Sequence, residues 1–318
     1  IGLIDSKVVR QGGTPLELGL GGSLQGWPTL VFMFGLFLTL ILMVRKVRGA
    51  ILIGILSSTV LAVIIEAVAH LGAFNAEKNK TGWSLAVPHL NGSPFAMPSF
   101  ETLGKFSLLG SIDKVGIVSV VLLVFTLLLA DFFDTMGTMI AVGAEGDLLD
   151  SEGNPPKTRE ILVVDSLAAI AGGVGGVSSN TSYIESATGV GEGARTGLAS
   201  VVTGCMFFLS MFIAPLVSMV PYEAATPALV IVGFLMMTQV AEIDWTDLEI
   251  AIPSFLTIAM MPFSYSITNG IGAGFLSYVV LAVARGKVKQ IHPLMWLTAV
   301  LFLVYFTLAP IKAILGVS

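Results

Sequence analysis

Ten apolar stretches in 318 residues leave this chain little to fold into except a helical membrane domain. They run over 28–44, 51–72, 115–142, 160–176, 182–194, 198–220, 225–241, 250–266, 270–284 and 293–314. A spanning helix needs about 20 mostly apolar residues. In hydrocarbon a backbone must satisfy its own polar groups, which a helix does within one segment. Charged residues make up 12% of the chain and hydrophobic residues 55%, with a mean hydropathy of +0.91. Soluble domains carry roughly a quarter charged residues, so the fold class expected is an all-α polytopic membrane protein in a cell membrane, plasma or inner.

The stretch 115–142 is too long for one straight crossing. At about 1.5 Å per residue it spans roughly 42 Å, against a hydrocarbon core near 30 Å. Tilt or a break near Asp131, Asp134 and Gly137 is expected to absorb the excess. Asp134 is also chemically out of place, since an acid at bilayer depth costs roughly 2.5–3.5 kcal/mol and usually marks a pathway or relay. The residues Thr135, Gly137 and Thr138 beside it would let a polar group approach. The plainer reading of Asp134 is a snorkelling acid near a helix end. Asp131, about one turn earlier, reads as a peripheral acid or a supporting one.

A second acid, Glu185, follows a glycine-rich break, AGGVGGVSSNTSYIESATGVG. Gly172, Gly173, Gly175 and Gly176 let the chain leave helical geometry, and Ser178 to Ser182 offer local hydrogen bonds and caps. Irregular backbone at this depth survives only when buried in protein or lining a cavity. Transporters place broken helices of this kind at the substrate site. A broken helix before 182 is therefore expected, with Glu185 in the first turn of a half-helix over 182–194. The plainer reading is a glycine contact face with Glu185 capping free amides.

Other residues carry weaker signals. Glu192 and Arg195 are spaced at i and i+3 to pair on a helix surface. Glu66 lies inside an apolar span and reads as near the interface or paired. His89 and His292 read as structural loop residues, and Cys205, the sole cysteine, as a small core residue.

Lysines and arginines in short loops set the orientation. Arg45, Lys46 and Arg48 lie eight crossings before Arg285, Lys287 and Lys289, so both clusters share a side, and Lys157, Arg159 and Arg195 join them by parity. That side is read as cytoplasmic. The acidic stretch 143–159 is a solvated cytoplasmic loop, and the proline-rich 84–100 an extended external segment. The start at Ile1 lacks signal-peptide features and reads as a point inside a longer chain.

Several function classes drop out. No basic stripe suggests nucleic acid. The string nearest to the GxGD element of an intramembrane protease, Gly143-Ala144-Glu145-Gly146-Asp147, has Ala144 at a required glycine and lies in a polar loop. HExxH and GxSxG are absent from the sequence. An enzyme is not expected, nor a metal or cofactor.

Three runs carry a resemblance: Asp134-Thr-Met-Gly-Thr138, Ser179-Asn-Thr-Ser-Tyr-Ile-Glu185-Ser, and Gly189-Val-Gly-Glu-Gly-Ala-Arg195-Thr-Gly-Leu198. They resemble the nucleobase–ascorbate transporter (xanthine/uracil permease) superfamily, most closely its AzgA-like hypoxanthine/guanine/adenine branch. Val47 to Gly54 and Ile267 to Gly274 fit that branch too, so the likeness covers essentially the whole chain. It implies a 7+7 inverted-repeat transporter with core and gate domains. The chain would be one membrane domain over 1–318, holding the end of the first repeat at about 1–72 and the second at about 113–286; the run 293–314 is unplaced. By resemblance the substrate-binding residues are Asp134, Glu185, Thr138, Ser182, Tyr183 and Ile184, with Asp134 also coupling protons. The implied partners are a purine nucleobase, protons and the lipid bilayer, with a homodimer as one candidate assembly. The alternative is an anion exchanger or channel of the same architecture, which would call for a basic residue where this sequence has two acids.

Overall fold

The computed structural model describes residues 9–10, 17–19, 23–75, 77–90, 92–107, 109–151 and 153–315. The expectation for the start of the chain lies mostly outside them, apart from a short antiparallel pairing of Val9–Arg10 with Glu17–Leu18. The helices are α1 (Trp27–Val44), α2 (Ala50–Ala69), α3 (Ile112–Val115), α4 (Ile117–Glu145), α5 (Thr158–Gly175), α6 (Ser186–Gly191) and α7 (Leu198–Ser210). They continue as α8 (Ala214–Val217), α9 (Tyr222–Met236), α10 (Leu248–Ser264), α11 (Ile267–Ala284) and α12 (Pro293–Leu315). Five helical stretches among the described residues are long and apolar enough to cross a membrane: α1, α2, Ser119–Glu145, Leu198–Val217 and α11.

Helix α4 decides between the two alternatives expected for it, tilt or a break. It runs unbroken for 29 residues through Asp131, Asp134 and Gly137, about 43 Å at 1.5 Å per residue. One glycine costs a helix about 1 kcal/mol, too little to interrupt a run otherwise rich in leucine and valine. The excess length is thus left to tilt or to extension beyond the hydrocarbon.

The chain divides into two compact units. The first comprises 1–101, 145–147 and 184–237. Within it α1 and α2 cross on reciprocal small residues. A side chain at Gly35 would overlap the Ser58 hydroxyl, and one at Gly54 the Thr39 hydroxyl. Each hydroxyl is kept quiet by its own helix: Thr39 Oγ1 donates to Gly35 O at 2.7 Å and Ser58 Oγ to Gly54 O at 2.8 Å. Lipid tails give helices no hydrophobic reason to associate, so close backbone approach through small residues supplies the attraction. Helix α9 joins them, with Pro227 against Gly35. Val31, Ala62, Ile65, Trp83 and Ala224 form the core beneath.

Glu66 has the polar neighbourhood that the sequence did not reveal. It is buried, and its carboxylate accepts the N–H of Leu71 at 2.9 Å, of Gly72 at 3.2 Å and the indole Nε1–H of Trp83 at 2.8 Å. It thereby satisfies N–H groups just past the end of α2 and fixes the buried Trp83. Ser84 N–H donates to Glu223 Oε1 at 3.1 Å, which ties the same segment to the first turn of α9. The described residues of the 84–100 stretch are non-helical, as its prolines require.

The second unit comprises 102–144, 148–183 and 238–318. Its α10–α11 hairpin packs by the same rule: side chains at Gly270 and Gly274 would overlap Met261 and the Thr257 hydroxyl. Gly272 faces Phe302 of α12, which stacks with Phe275. Caps come from Asp247, accepting the N–H of Glu249 at 2.9 Å, and Ser266, accepting that of Asn269 at 3.3 Å. At the polar end of the hairpin Glu249 meets Lys287 at 2.6 Å and Arg285 at 3.0 Å. In the loop before α10 the Thr246 hydroxyl and N–H hold the Asp244 carboxyl below the usual carboxylate range.

Cys205 is exposed rather than part of a core. It sits on α7, which has no buried residue, because an apolar membrane helix need not bury its face in protein. His292 is structural, as expected: its Nδ1 accepts the N–H of Leu294 at the start of α12.

Candidate functional site

The break before residue 182 is present, and its geometry follows from glycine. Helix α5 ends at Gly175, and Gly176 turns the chain at φ +69°, where a side chain would be strained. The N–H of Gly176 returns to Gly173 O and that of Val177 to Gly172 O, a Schellman-like closure. The chain then doubles back along α5. Gly172 makes this retreat feasible, since any Cβ there would collide with Ser178 O. Residues 178–183 are non-helical and extend past the helix they have just left.

What holds that segment is Asp165, an acid that the reading of the sequence passed over. It lies on α5 and is 8% exposed. Oδ1 accepts the N–H of Ser182 at 3.1 Å and the hydroxyl of Thr181 at 3.3 Å, while Oδ2 accepts the hydroxyl of Thr135 at 2.7 Å. The Thr135 and Thr181 hydroxyls are 2.8 Å apart, so the Thr181 proton has two acceptors in reach. A buried carboxylate is tolerable only when its lone pairs are used, and here one backbone and two hydroxyl donors use them. Asn180 Nδ2 adds a bond to Ala168 O at 3.3 Å.

Thr135 places the network against α4. On that helix Asp131, Asp134 or Thr135, and Thr138 recur at three- and four-residue intervals, which puts them along one side. Thr135 and Thr138 are buried, Asp131 is half-buried and Asp134 is exposed. Asp131 is engaged with the break: its Oδ1 accepts the Ser179 hydroxyl at 3.2 Å. In the second unit, therefore, one side of α4 bearing carboxylates and hydroxyls adjoins an extended segment carrying Thr181, Ser182 and Tyr183.

Ile184 and Glu185 belong to the first unit. The half-helix is shorter than the expected 182–194. It spans six residues, Ser186–Gly191, and Glu185 is its N-cap rather than a member of its first turn. Gly189, Gly191 and Gly193 explain the shortness, each costing about 1 kcal/mol in helix propensity. The Glu185 side chain makes no capping bond to α6 and is exposed. That removes the plain reading in which its job is to cap free amides. A second correction concerns Glu192 and Arg195: the carboxylate takes the N–H of Gly49 and the guanidinium takes Val190 O and Ala194 O, so the i, i+3 pair is not made.

An open groove of about 610 Å³ runs along α5 beside Thr158, Leu162 and Ser166. Among the described residues no cluster of His, Cys, Asp or Glu is placed to hold a metal ion. The arrangement offers carboxylates, hydroxyls and backbone amides, a set suited to a neutral, planar molecule with both donors and acceptors on its edge.

Comparison with known proteins shows the family. The family model described as "Permease family", for xanthine/uracil permeases, matches residues 12–309. The chain is similar to the adenine permease AdeP of Escherichia coli, 38% identical over 283 residues, which is 89% of this chain and 58% of the relative. It is 35% identical to the guanine/hypoxanthine permease PbuG of Bacillus subtilis, over 96% of this chain and 64% of that one. It is 33% identical to the nucleobase transporter PlAzg2 of Paenibacillus larvae, over 79% of this chain and 45% of the relative. The chain thus spans less than two thirds of the length of these relatives.

Proposed function

Because this chain belongs to the xanthine/uracil permease family of nucleobase–ascorbate transporters, and is a multi-pass cell-membrane protein, we propose that it carries purine nucleobases across the membrane. The observation that carries the reading is the Asp165 network, which fixes the extended segment 178–183 beside the face of α4 that bears Asp131, Asp134 and Thr138. The names of the relatives, adenine and guanine/hypoxanthine permeases, favour adenine, guanine and hypoxanthine as candidates.

In this mechanism the purine presents N–H donors and ring-nitrogen acceptors along its edges. A carboxylate accepts such N–H bonds, and a protonated carboxyl also donates. Glu185 takes the base edge. Asp134 helps bind the base and carries the coupling proton, with Thr138 as a polar partner one turn on. Backbone and side chains of Ser182, Tyr183 and Ile184 shape the wall. Asp165 touches no substrate in this scheme; it holds the wall in place. Proton symport then proceeds by alternating access of a core against a gate in a 7+7 inverted-repeat architecture. A homodimer is compatible with this scheme. An anion exchanger is disfavoured, because carboxylates at the site repel an anion.

The test is a purine competition profile on the full-length protein at two pH values. Inhibition of labelled hypoxanthine uptake by adenine or guanine, stronger uptake at the more acidic external pH, and no effect of chloride or sulfate are expected. Anion flux without purine uptake would overturn the reading.

A further inference from the structure

Glu192 and Arg195 close α6 by going separate ways. The Arg195 guanidinium donates to Val190 O at 2.6 Å and to Ala194 O at 2.8 Å. Those bonds reach carbonyls at and beyond the helix C-terminus, where Val190 O also accepts the N–H of Gly193 at 2.9 Å. The Glu192 carboxylate is left to reach 143 residues back along the chain, where its Oε1 accepts the N–H of Gly49 at 2.9 Å.

Gly49 is the residue from which α2 starts, in the left-handed conformation at φ 69°. Helix α2 opens Ala50-Ile-Leu-Ile and has no acid in its first turn. In a capping box the acid at the third helical position reaches back to the N–H of the N-cap residue. Here that position is Leu52, and the missing carboxylate is supplied by Glu192 from the far side of the chain. The positive end of the α2 dipole favours the charge.

The consequence falls on Glu185. Helix α6 has only six residues and none is buried, so its position depends on what holds its ends. Glu185 is its N-cap and Glu192 its C-cap. At the C-terminal end a Cβ on Gly191 would fall 3.1 Å from Glu145 Oε1, so glycine there admits a close neighbour. The bond to Gly49 is solvent-exposed and single, strong enough to position a short helix and weak enough to open.

We propose that Glu192 is a positioning residue for transport: it latches α6, and through it Glu185, to the start of α2, and the latch breaks when α6 moves during the transport cycle. This rests on the transport reading given above. The test uses the full-length protein in cells lacking purine uptake, with Glu192→Ala, Glu192→Gln, and Gly49→Cys combined with Glu192→Cys in a Cys205→Ser background. Glu192→Ala is expected to raise the apparent KM for hypoxanthine by about fivefold or more, whereas Glu192→Gln, which keeps an acceptor oxygen, stays close to wild type. Oxidation of the double cysteine is expected to form a cross-link that stops uptake while hypoxanthine still binds, and reduction restores uptake. A wild-type KM in Glu192→Ala, or full uptake by protein verified to be cross-linked, would each overturn the latch while leaving the transport reading intact. If the unmodified protein takes up no purine, the transport reading fails and the latch fails with it.

Discussion

Thr135 on α4 and Asp165 on α5 are 30 residues apart in the chain, and their side chains meet at 2.7 Å with both residues buried. Through this bond and those to Thr181 and Ser182, one carboxylate holds α4, α5 and the segment after the break together.

Replacing Thr135 by Val keeps the shape and removes the donor. Asp165 Oδ2 loses its proton donor and the Thr181 hydroxyl loses one of its two acceptors. Leaving such buried groups unmet costs about 1–3 kcal/mol. Purine uptake per inserted protein is expected to fall by about tenfold in Thr135→Val and to be retained in Thr135→Ser, as read by labelled uptake normalised to membrane protein. Equal uptake in both variants would show that the network is dispensable.

Asp165→Ala should be worse, because it orphans Ser182 N–H and takes an acceptor from both the Thr135 and Thr181 hydroxyls, which keep only each other. Loss of uptake with normal membrane insertion is expected, and Asp165→Asn should keep part of the activity by retaining an acceptor. Wild-type transport in Asp165→Ala would contradict the assigned role.

The crossing of α1 and α2 depends on absent side chains. Gly54→Leu must displace Thr39, and Gly35→Leu must displace Ser58. Overpacking of this kind costs about 1–3 kcal/mol. Thermal unfolding in detergent should show a lower midpoint for each variant, and a midpoint unchanged from wild type would argue against the close crossing.

Glu66→Gln exchanges an acceptor for a donor in front of three N–H groups, those of Leu71, Gly72 and Trp83. A loss of about 1–3 kcal/mol is expected, together with a changed Trp83 fluorescence signal. Trp83→Phe should lose less, since the peptide N–H bonds to Glu66 remain.

Much of this was legible in the residues, and the misses have physical causes. Hydropathy locates α1, α2, α10 and α11 to within a few residues because each is a continuous apolar run. The glycines from 172 to 176 announce the break for the same reason that they make it: only they allow the turn at Gly176 and the close pass of Ser178 over Gly172. Asp165 carries the same signal as Asp134, an acid in an apolar helix. What it binds, however, lies on the far side of the break and on α4, and spacing along one helix does not disclose it. The length of the α4 run left tilt or a break open, and side chains such as Asp131 and Asp134 do not interrupt the backbone hydrogen bonds of the helix that carries them. Glu192 and Arg195 have the right interval for a pair, but backbone groups at two helix ends compete for both.

The central claim is that Glu185 and Asp134 are the carboxyl groups that meet the purine. Its most direct test is labelled hypoxanthine uptake by the full-length protein carrying Glu185→Gln or Asp134→Asn, with insertion verified, at two external pH values. The account predicts that Glu185→Gln loses uptake at both pH values and that Asp134→Asn loses both rate and the response to external pH. Wild-type uptake with wild-type pH response in both variants would contradict it.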